Sequence, residues 1–177
     1  MKEELTKRNK IPFDDKILQM LIDDPTESIR EIAHDLESYR QKVWRKKKNF
    51  EDEKIIWGYT AVIDESKIEH VMYLVLMKLK PMSKELADIL IKRAVKRIPQ
   101  KQRVRLLNVL YINGQYDLII MFSAPDHAVA RRYYDSLRIT YEKNLLDKPV
   151  IVDVNFSIIR EGKTNPDLKK LYEFVPE

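Results

Sequence analysis

The stretch "YRQKVWRKKKNF", residues 39–50, carries six basic side chains (Arg40, Lys42, Arg45, Lys46, Lys47 and Lys48) and no acid. The acidic run "EDE" follows at 51–53. Wound as a helix, the stretch brings Val43 and Phe50 near one face and spreads the cations over the rest. Such a helix is either a solvated face balanced by the neighbouring acids or a rod that lies against a polyanion. Charge alone favours the first. The segments upstream decide the matter.

Residues 13–24, "FDDKILQMLIDD", place Ile17, Leu18, Leu21 and Ile22 on one helical stripe, with Asp14 as the expected N-cap and Pro25 as the stop. In "TESIREIAHDL", Ser28 and Glu31 have the spacing of a capping box, and Ile29, Ile32, Ala33 and Leu36 form the inner face of a second helix. Ser38 and Gln41 repeat that spacing and predict a third helix over 38–50, with Val43, Trp44 and Phe50 as its apolar positions. Three short helices with tight connections, the last one basic, make a helix-turn-helix. In that setting the reading of 39–50 reverses toward DNA.

The rest of the composition bounds the possibilities. The 177 residues suit one domain of ordinary size or two small ones. No apolar run is long enough to span a bilayer, and "MKEELTKRNK" lacks the apolar core of a secretory signal, so no membrane partner and a cytoplasmic location are expected. There is no cysteine, which excludes disulfides, thiolate metal sites and a cysteine nucleophile. His34, His70 and His127 are isolated, without metal-ligand spacing, and no phosphate-loop, dinucleotide or nucleophile-elbow motif occurs. Neither an enzymatic role nor a cofactor is expected. The net charge of +5 says little by itself; its concentration in 39–50 says more.

Beyond residue 54 the period changes. "IIWGYTAVID", 55–64, is β-branched and aromatic and reads as extended, and the polar 64–70 marks a domain boundary. A strand is predicted at 71–80. A helix follows at 83–98, with Ser83 as cap, Leu86, Leu90, Ala94 and Ile98 as stripe and Pro99 as stop. Strands follow at 103–112 and 117–123, joined by the turn "NGQYD", in which Gly114 is expected to supply a positive φ. Asp126 caps a helix with the spine Val129, Tyr133, Leu137 and Tyr141, and a last strand covers 149–159. The order βαββαβ is ferredoxin-like, so the fold class is α+β: an N-terminal helix-turn-helix, winged-helix-like, and a C-terminal ferredoxin-like domain. Boundaries are expected at 1–12 (extension), 13–54 (helix-turn-helix), 55–70 (β linker), 71–160 (ferredoxin-like) and 161–177 (extension).

The second and third strands are apolar on both faces, although helices cover only one side of such a sheet. At roughly 25 cal/mol per Å2 of wet apolar surface, the other face needs a cover. A second copy supplies it, giving an isologous, face-to-face homodimer. The alternative cover is the tail, 162–177, whose Leu168, Leu171, Tyr172 and Phe174 suffice for a short amphipathic helix.

This order of parts resembles the Lrp/AsnC family of prokaryotic transcription regulators. "FDDKILQMLIDD" is similar to the family's opening helix, "SIREIAHDL" to its second, "IIWGYTAVID" to the segment leaving the reading head, and "NGQYDLII" to the glycine-x-x-aspartate turn of its sensing domain. The resemblance covers residues 13 to about 160. Three positions depart from the pattern. Glu37 stands where a glycine is usual before the reading helix, Tyr39 where a serine opens it, and Lys47 at a position usually apolar.

The resemblance implies a dimeric or higher regulator (the tetramer and octamer included) that binds double-stranded DNA and answers to a small effector such as an amino acid. Candidate DNA contacts are Ser28, Tyr39, Arg40, Gln41, Lys42, Arg45, Lys46 and Lys48. Arginine to guanine and glutamine to adenine are pairings the major groove permits, while lysines suit phosphates. Candidate effector contacts are Gly114, Tyr116 and Asp117; their other reading is a plain tight hairpin. Two rival functions stay open. An RNA-binding sheet would need exposed aromatics in a pattern that "DLIIMFS" lacks. A ligand-binding or architectural protein with a weakened DNA head would show no DNA affinity to lose when Arg40, Lys42 and Arg45 are replaced.

Overall fold

The computed structural model describes residues 12–96 and 103–176. The chain divides into two compact units between Val62 and Ile63, just ahead of the expected boundary at 64–70. The first unit holds three helices: α1 (Phe13–Asp23), α2 (Ile29–Asp35) and α3 (Arg40–Asp52). Ile17, Leu21, Ile32, Ala33, Val43 and Phe50 form its core. Two expected core members are exposed, Ile22 at 55% and Trp44 at 51%. At 100° per residue, Ile22 lies about 140° from Ile17 and Trp44 about 100° from Val43, so neither can share the buried stripe.

The helix ends have local causes. Pro12, not Asp14, is the N-cap of α1; Asp14 and Asp15 occupy the first turn, where carboxylates complement the helix dipole. Asp24, ahead of Pro25, is extended at φ −141°, ψ 96°, because proline bars its predecessor from the helical region. Ser28 and Glu31 form the expected capping box at the start of α2.

Between α2 and α3 the chain makes a Schellman turn. Ser38 N–H donates to Ala33 O at 2.8 Å and Glu37 N–H donates to His34 O at 3.0 Å. Glu37 takes the left-handed conformation, φ 48°, that this turn requires. Ser38 is thus spent on closing α2. It does not form the expected capping box with Gln41, and α3 begins at Arg40 with Tyr39 as an N-cap whose side chain makes no cap bond.

The second unit is a four-stranded antiparallel sheet with two helices. In chain order it contains β1 (Val71–Met77), α4 (Lys84–Val95), β2 (Arg105–Tyr111), β3 (Leu118–Ala124), α5 (His127–Tyr141) and β4 (Val150–Val154). The strand order β2-β3-β1-β4 is that of a ferredoxin-like domain. The first, second and fourth strands are shorter than expected, the fourth stopping five residues early at Val154, while the third keeps its expected length one residue further along. Ser83 and Asp126 cap α4 and α5 by accepting from Leu86 N and Val129 N. The spine of α5 (Val129, Tyr133, Leu137, Tyr141) is buried as expected, while Ile98 and Pro99 lie outside the described residues. The turn at Gly114 needs no left-handed glycine: among the described glycines only Gly162 has a positive φ, 75°.

Register defines the two faces of this sheet. Tyr73, Val75 and Met77 pair with Phe122, Ile120 and Leu118 on the helix side, where Phe122 meets Tyr133 edge-on at 4.7 Å. On the other side, Leu74 and Leu76 lie between Met121 and Ile119 of β3 and Val152 and Val150 of β4. These six are half-buried or exposed. Only one end of that face is covered. There Ser123 is fully buried, His70 Nδ1 lies 3.3 Å from its hydroxyl, and a 3-10 turn, Glu65–Ile68, begins with a buried Glu65.

Residues 55–64 form no strand, for no strand among the described residues lies beside them to pair with. No wing therefore follows the three helices. Ile55, Trp57, Tyr59 and Val62 are exposed along this linker, Trp57 at 94%. The tail forms a short hairpin, β5 (Ile159–Arg160) with β6 (Lys163–Thr164), and a 3-10 helix over Leu168–Phe174. Among the described residues, no helix is long and apolar enough to cross a membrane, and no group of three or more His, Asp or Glu could hold a metal ion.

Candidate nucleic-acid interface

The geometry of α3 follows from its two anchors. With Val43 and Phe50 buried, the face turned directly outward carries Gln41, Arg45 and Lys48, flanked by Asn49 and Lys42 on one side and Trp44 on the other. Tyr39, Gln41, Lys42, Arg45, Lys46 and Asn49 line a shallow open depression along the helix. Asn49 was missed in the sequence reading. The available signal was its spacing: it lies four residues beyond Arg45 and eight beyond Gln41, on one side of the helix.

The cations of α3 fall into two groups. Four lysines have partners inside the chain. Lys46 Nζ pairs with Asp14 Oδ2 at 2.6 Å, and Lys42 Nζ sits 3.9 Å from the centre of the Phe13 ring. Lys47 lies 4.9 Å over Tyr59 and Lys48 5.3 Å over Trp44. Lys47, at a position apolar in the family pattern, faces the linker rather than the outer surface. Tyr59 also donates to Glu51 Oε1 at 2.9 Å, and burial followed by that carboxylate pushes its phenol up to about 12. By contrast, Arg40, Gln41 and Arg45 have no side-chain partner among the described residues. With Asn49, which likewise has no side-chain partner among the described residues, they are the groups left to meet a ligand.

Two sequence candidates sit differently from this set. Tyr39 stands at the mouth of α3, 83% exposed, its ring committed to no cap. Ser28 lies at the start of α2, where its hydroxyl accepts from Glu31 N at 3.2 Å and its N–H donates to Glu31 Oε2 at 2.9 Å. Hydrogen bonding to the Glu31 carboxyl from the Ser28 side chain and then from its backbone N–H holds that group below its ordinary range.

The effector candidates belong to the second unit, on the turn between β2 and β3. Asp117 is built into the scaffold: its Oδ2 accepts from Leu79 N at 2.7 Å, its N–H donates to Met77 O, and its carbonyl accepts from Ile112 N. Gly114 is exposed, and a Cβ there would meet nothing within 4 Å. Tyr116 is half-buried beside it. This carboxylate thus ties the hairpin to the end of β1, a role that spacing alone did not reveal.

No sequence-family profile matches the chain, and no curated protein is a significant sequence match. Solved structures do match. An AsnC family transcriptional regulator from Agrobacterium tumefaciens superposes with a TM-score of 0.62 at 19% identity, covering 89% of this chain and 98% of its own. A transcriptional regulator from Neisseria meningitidis, solved in complex with L-Met, gives 0.65 at 17%, covering 86% and 94%. The leucine response regulatory protein of Mycobacterium tuberculosis gives 0.68 at 13%, covering 88% and 99%. The fold shared with these chains takes in both the helical unit and the sheet unit.

Proposed function

We propose that this chain, which shares the fold of the Lrp/AsnC regulators, is a DNA-binding transcription regulator that reads the major groove with α3. The observation that carries the proposal is the outward face of that helix, where Gln41, Arg45 and Asn49 stand beside Lys48 while the acids of the segment begin only at Glu51. An arginine and two amides are the side chains that pair with base edges. Lys48, Lys42 and Arg40 flank them and suit phosphates. Tyr39 borders the same surface, and Ser28, at the start of α2, is a further candidate contact. Lys46 contributes once Asp14 gives it up. In this reading the protein acts in the cytoplasm, in association with the nucleoid.

The working unit is a dimer or a larger even assembly. The open face of the sheet supports this reading, with Leu74, Leu76, Ile119, Met121, Val150 and Val152 spread across three strands and little of the chain laid over them. A contiguous apolar face of that kind marks an association surface. A two-fold dimer carries two reading helices, so its site is roughly palindromic, with half-sites a helical turn or a multiple apart.

An amino acid or similar small molecule modulates the assembly, bound near Gly114 and Tyr116. The likeness to a regulator solved with L-Met supports this part. Selection of bound fragments from random duplex DNA tests the whole proposal. A two-fold symmetric motif is expected, with affinity falling steeply in salt. Failure to enrich any fragment rejects DNA reading. Titrations of the selected site with and without amino acids test sensing, which unchanged affinity and assembly state would reject.

A further inference from the structure

Glu65 is the only charged side chain in the core among the described residues, 2% exposed. An enclosed carboxylate costs several kcal/mol unless it is fully paired. Here two arginines, distant in sequence, converge on it. Arg105, the first residue of β2, pairs with Oε1. Arg160, from β5, forks across both oxygens: Nη1 donates to Oε2, and Nη2 donates to Oε1 at 3.1 Å. Arg160 Nη1 also donates to Ile63 O at 3.1 Å.

A second grip lies on the same turn. Lys67 Nζ pairs with Asp167 Oδ2 at 3.0 Å, and Lys170 lies 3.7 Å from that oxygen. The turn itself is closed by Asp64, whose Oδ1 accepts from Ser66 N and Ser66 Oγ, and by His70 N–H donating to Glu65 O.

The part of the tail that makes these grips is itself a built element. Glu161 and Gly162 are both left-handed, φ 48° and 75°, as a tight two-residue hairpin turn requires. Asn165 closes the hairpin by donating from Nδ2 to Ser157 O and from its N–H to Ile158 O. Residues beyond about 160 lie outside the family resemblance, so the resemblance assigns them no role.

We propose that the β5–β6 hairpin, which begins at the end of the ferredoxin-like domain, and the C-terminal extension that continues it form a clamp on the linker: Arg160 and Asp167 hold the turn Glu65–Ile68 on the sheet and so fix the direction in which the chain leaves the sheet unit at Ile63. Glu65 and Arg160 are positioning residues, touching no ligand and acting through the linker that joins the sheet to the reading helices. The effect on DNA rests on the function proposed above; the clamp itself does not.

Both layers can be tested with the full-length chain. Amide hydrogen exchange is compared in wild type, Arg160→Met and Arg160→Lys. In Arg160→Met, exchange over 63–70 is expected to rise tenfold or more while β1 and β3 keep their protection. Arg160→Lys, which keeps the charge but not the fork, should fall between. Each protein is then titrated against duplexes carrying one half-site, or two half-sites at varied spacing. The clamp predicts that Arg160→Met keeps its single half-site affinity yet loses at least fivefold of its preference for the optimal spacing; a general loss of stability would weaken all duplexes alike. Unchanged exchange over 63–70 in both variants overturns the clamp. Raised exchange with an intact spacing preference overturns the positioning role. Absence of DNA binding by wild type rejects the regulator proposal and leaves the exchange result to decide the clamp.

Discussion

Lys46 Nζ lies 2.6 Å from Asp14 Oδ2, so the basic helix α3 carries its own counter-ion from the first turn of α1. Both side chains are more than a third exposed, and an ion pair of this kind contributes at most about 1 kcal/mol to stability. Its effect on a polyanion is larger. Asp14→Asn frees Lys46 and removes one negative charge beside the proposed reading surface. DNA affinity is expected to rise several-fold at moderate salt, and the slope of log K against log salt to steepen by roughly 1. Fluorescence anisotropy across a salt series measures both. An unchanged slope would mean that Lys46 never reaches a phosphate.

Arg45 and Lys48 should separate into different roles. Arg45→Ala is expected to cost about 1–3 kcal/mol at the selected site and to relax base preference at one position. Lys48→Ala should weaken selected and random duplexes alike, with a slope shallower by roughly 1. Competition titrations against randomised sites distinguish the two. Equal losses on every sequence for Arg45→Ala would remove it from base reading.

Leu74 sits in the middle of the open face of the sheet, between Met121 and Val152. Leu74→Asp leaves the helix-side core untouched and places a charge where a second copy is expected. Sedimentation equilibrium should show the assembly falling to single chains with the circular dichroism spectrum retained. Wild-type protein that is monomeric at micromolar concentration would refute the dimer before any variant is made.

Glu37 occupies the left-handed corner of the α2–α3 turn at φ 48°. A side chain in that region costs roughly 1–2 kcal/mol relative to a helical conformation, a cost that glycine avoids while losing more chain entropy. Glu37→Gly is therefore expected to raise the free energy of unfolding modestly, by up to about 1 kcal/mol. Chemical denaturation reads it. A drop in stability would show that the Glu37 side chain contributes something its exposed position does not reveal.

The capping box supplies a pH signature. Hydrogen bonds from the Ser28 side chain and backbone hold the Glu31 carboxyl below its ordinary value of 4.5. A group depressed in the folded state stabilises the fold above its unfolded value, and the contribution disappears as pH falls through the folded one. Ser28→Ala should lose about 1 kcal/mol near neutral pH. The gap from wild type should narrow as pH falls below 4.5, leaving the pH-independent share in which the Ser28 hydroxyl accepts from Glu31 N–H. Thermal melts at several pH values test this, and a gap constant with pH would assign the loss to something other than the carboxylate.

Much of this architecture was legible in the chain because it follows from local causes. The stripe through Ile17 and Leu21, the cap at Ser28, the proline after Asp24, and the spine Val129–Tyr133–Leu137–Tyr141 are statements about neighbours three or four residues apart. Where the reading missed, a distant or competing partner decided. Ser38 has the spacing of a cap, but its N–H was claimed by Ala33 O. Residues 55–64 have the composition of a strand, but a strand needs a neighbour, and none pairs with them among the described residues. Asp117 could be placed in a turn by spacing, while its grip on Leu79 depended on β1 arriving beside the hairpin.

The amino-acid sequence alone determined the periodicities, and with them the two kinds of domain and the single-signed charge of α3, because hydrophobic spacing and helix capping act within a turn or two of chain. Tertiary structure alone decided which of those cations are occupied and which face outward. It also decided that Glu65 would be enclosed by Arg105 and Arg160, forty and ninety-five residues away. Pairing across such distances depends on where the backbone carries each charge, and only the folded sheet sets that.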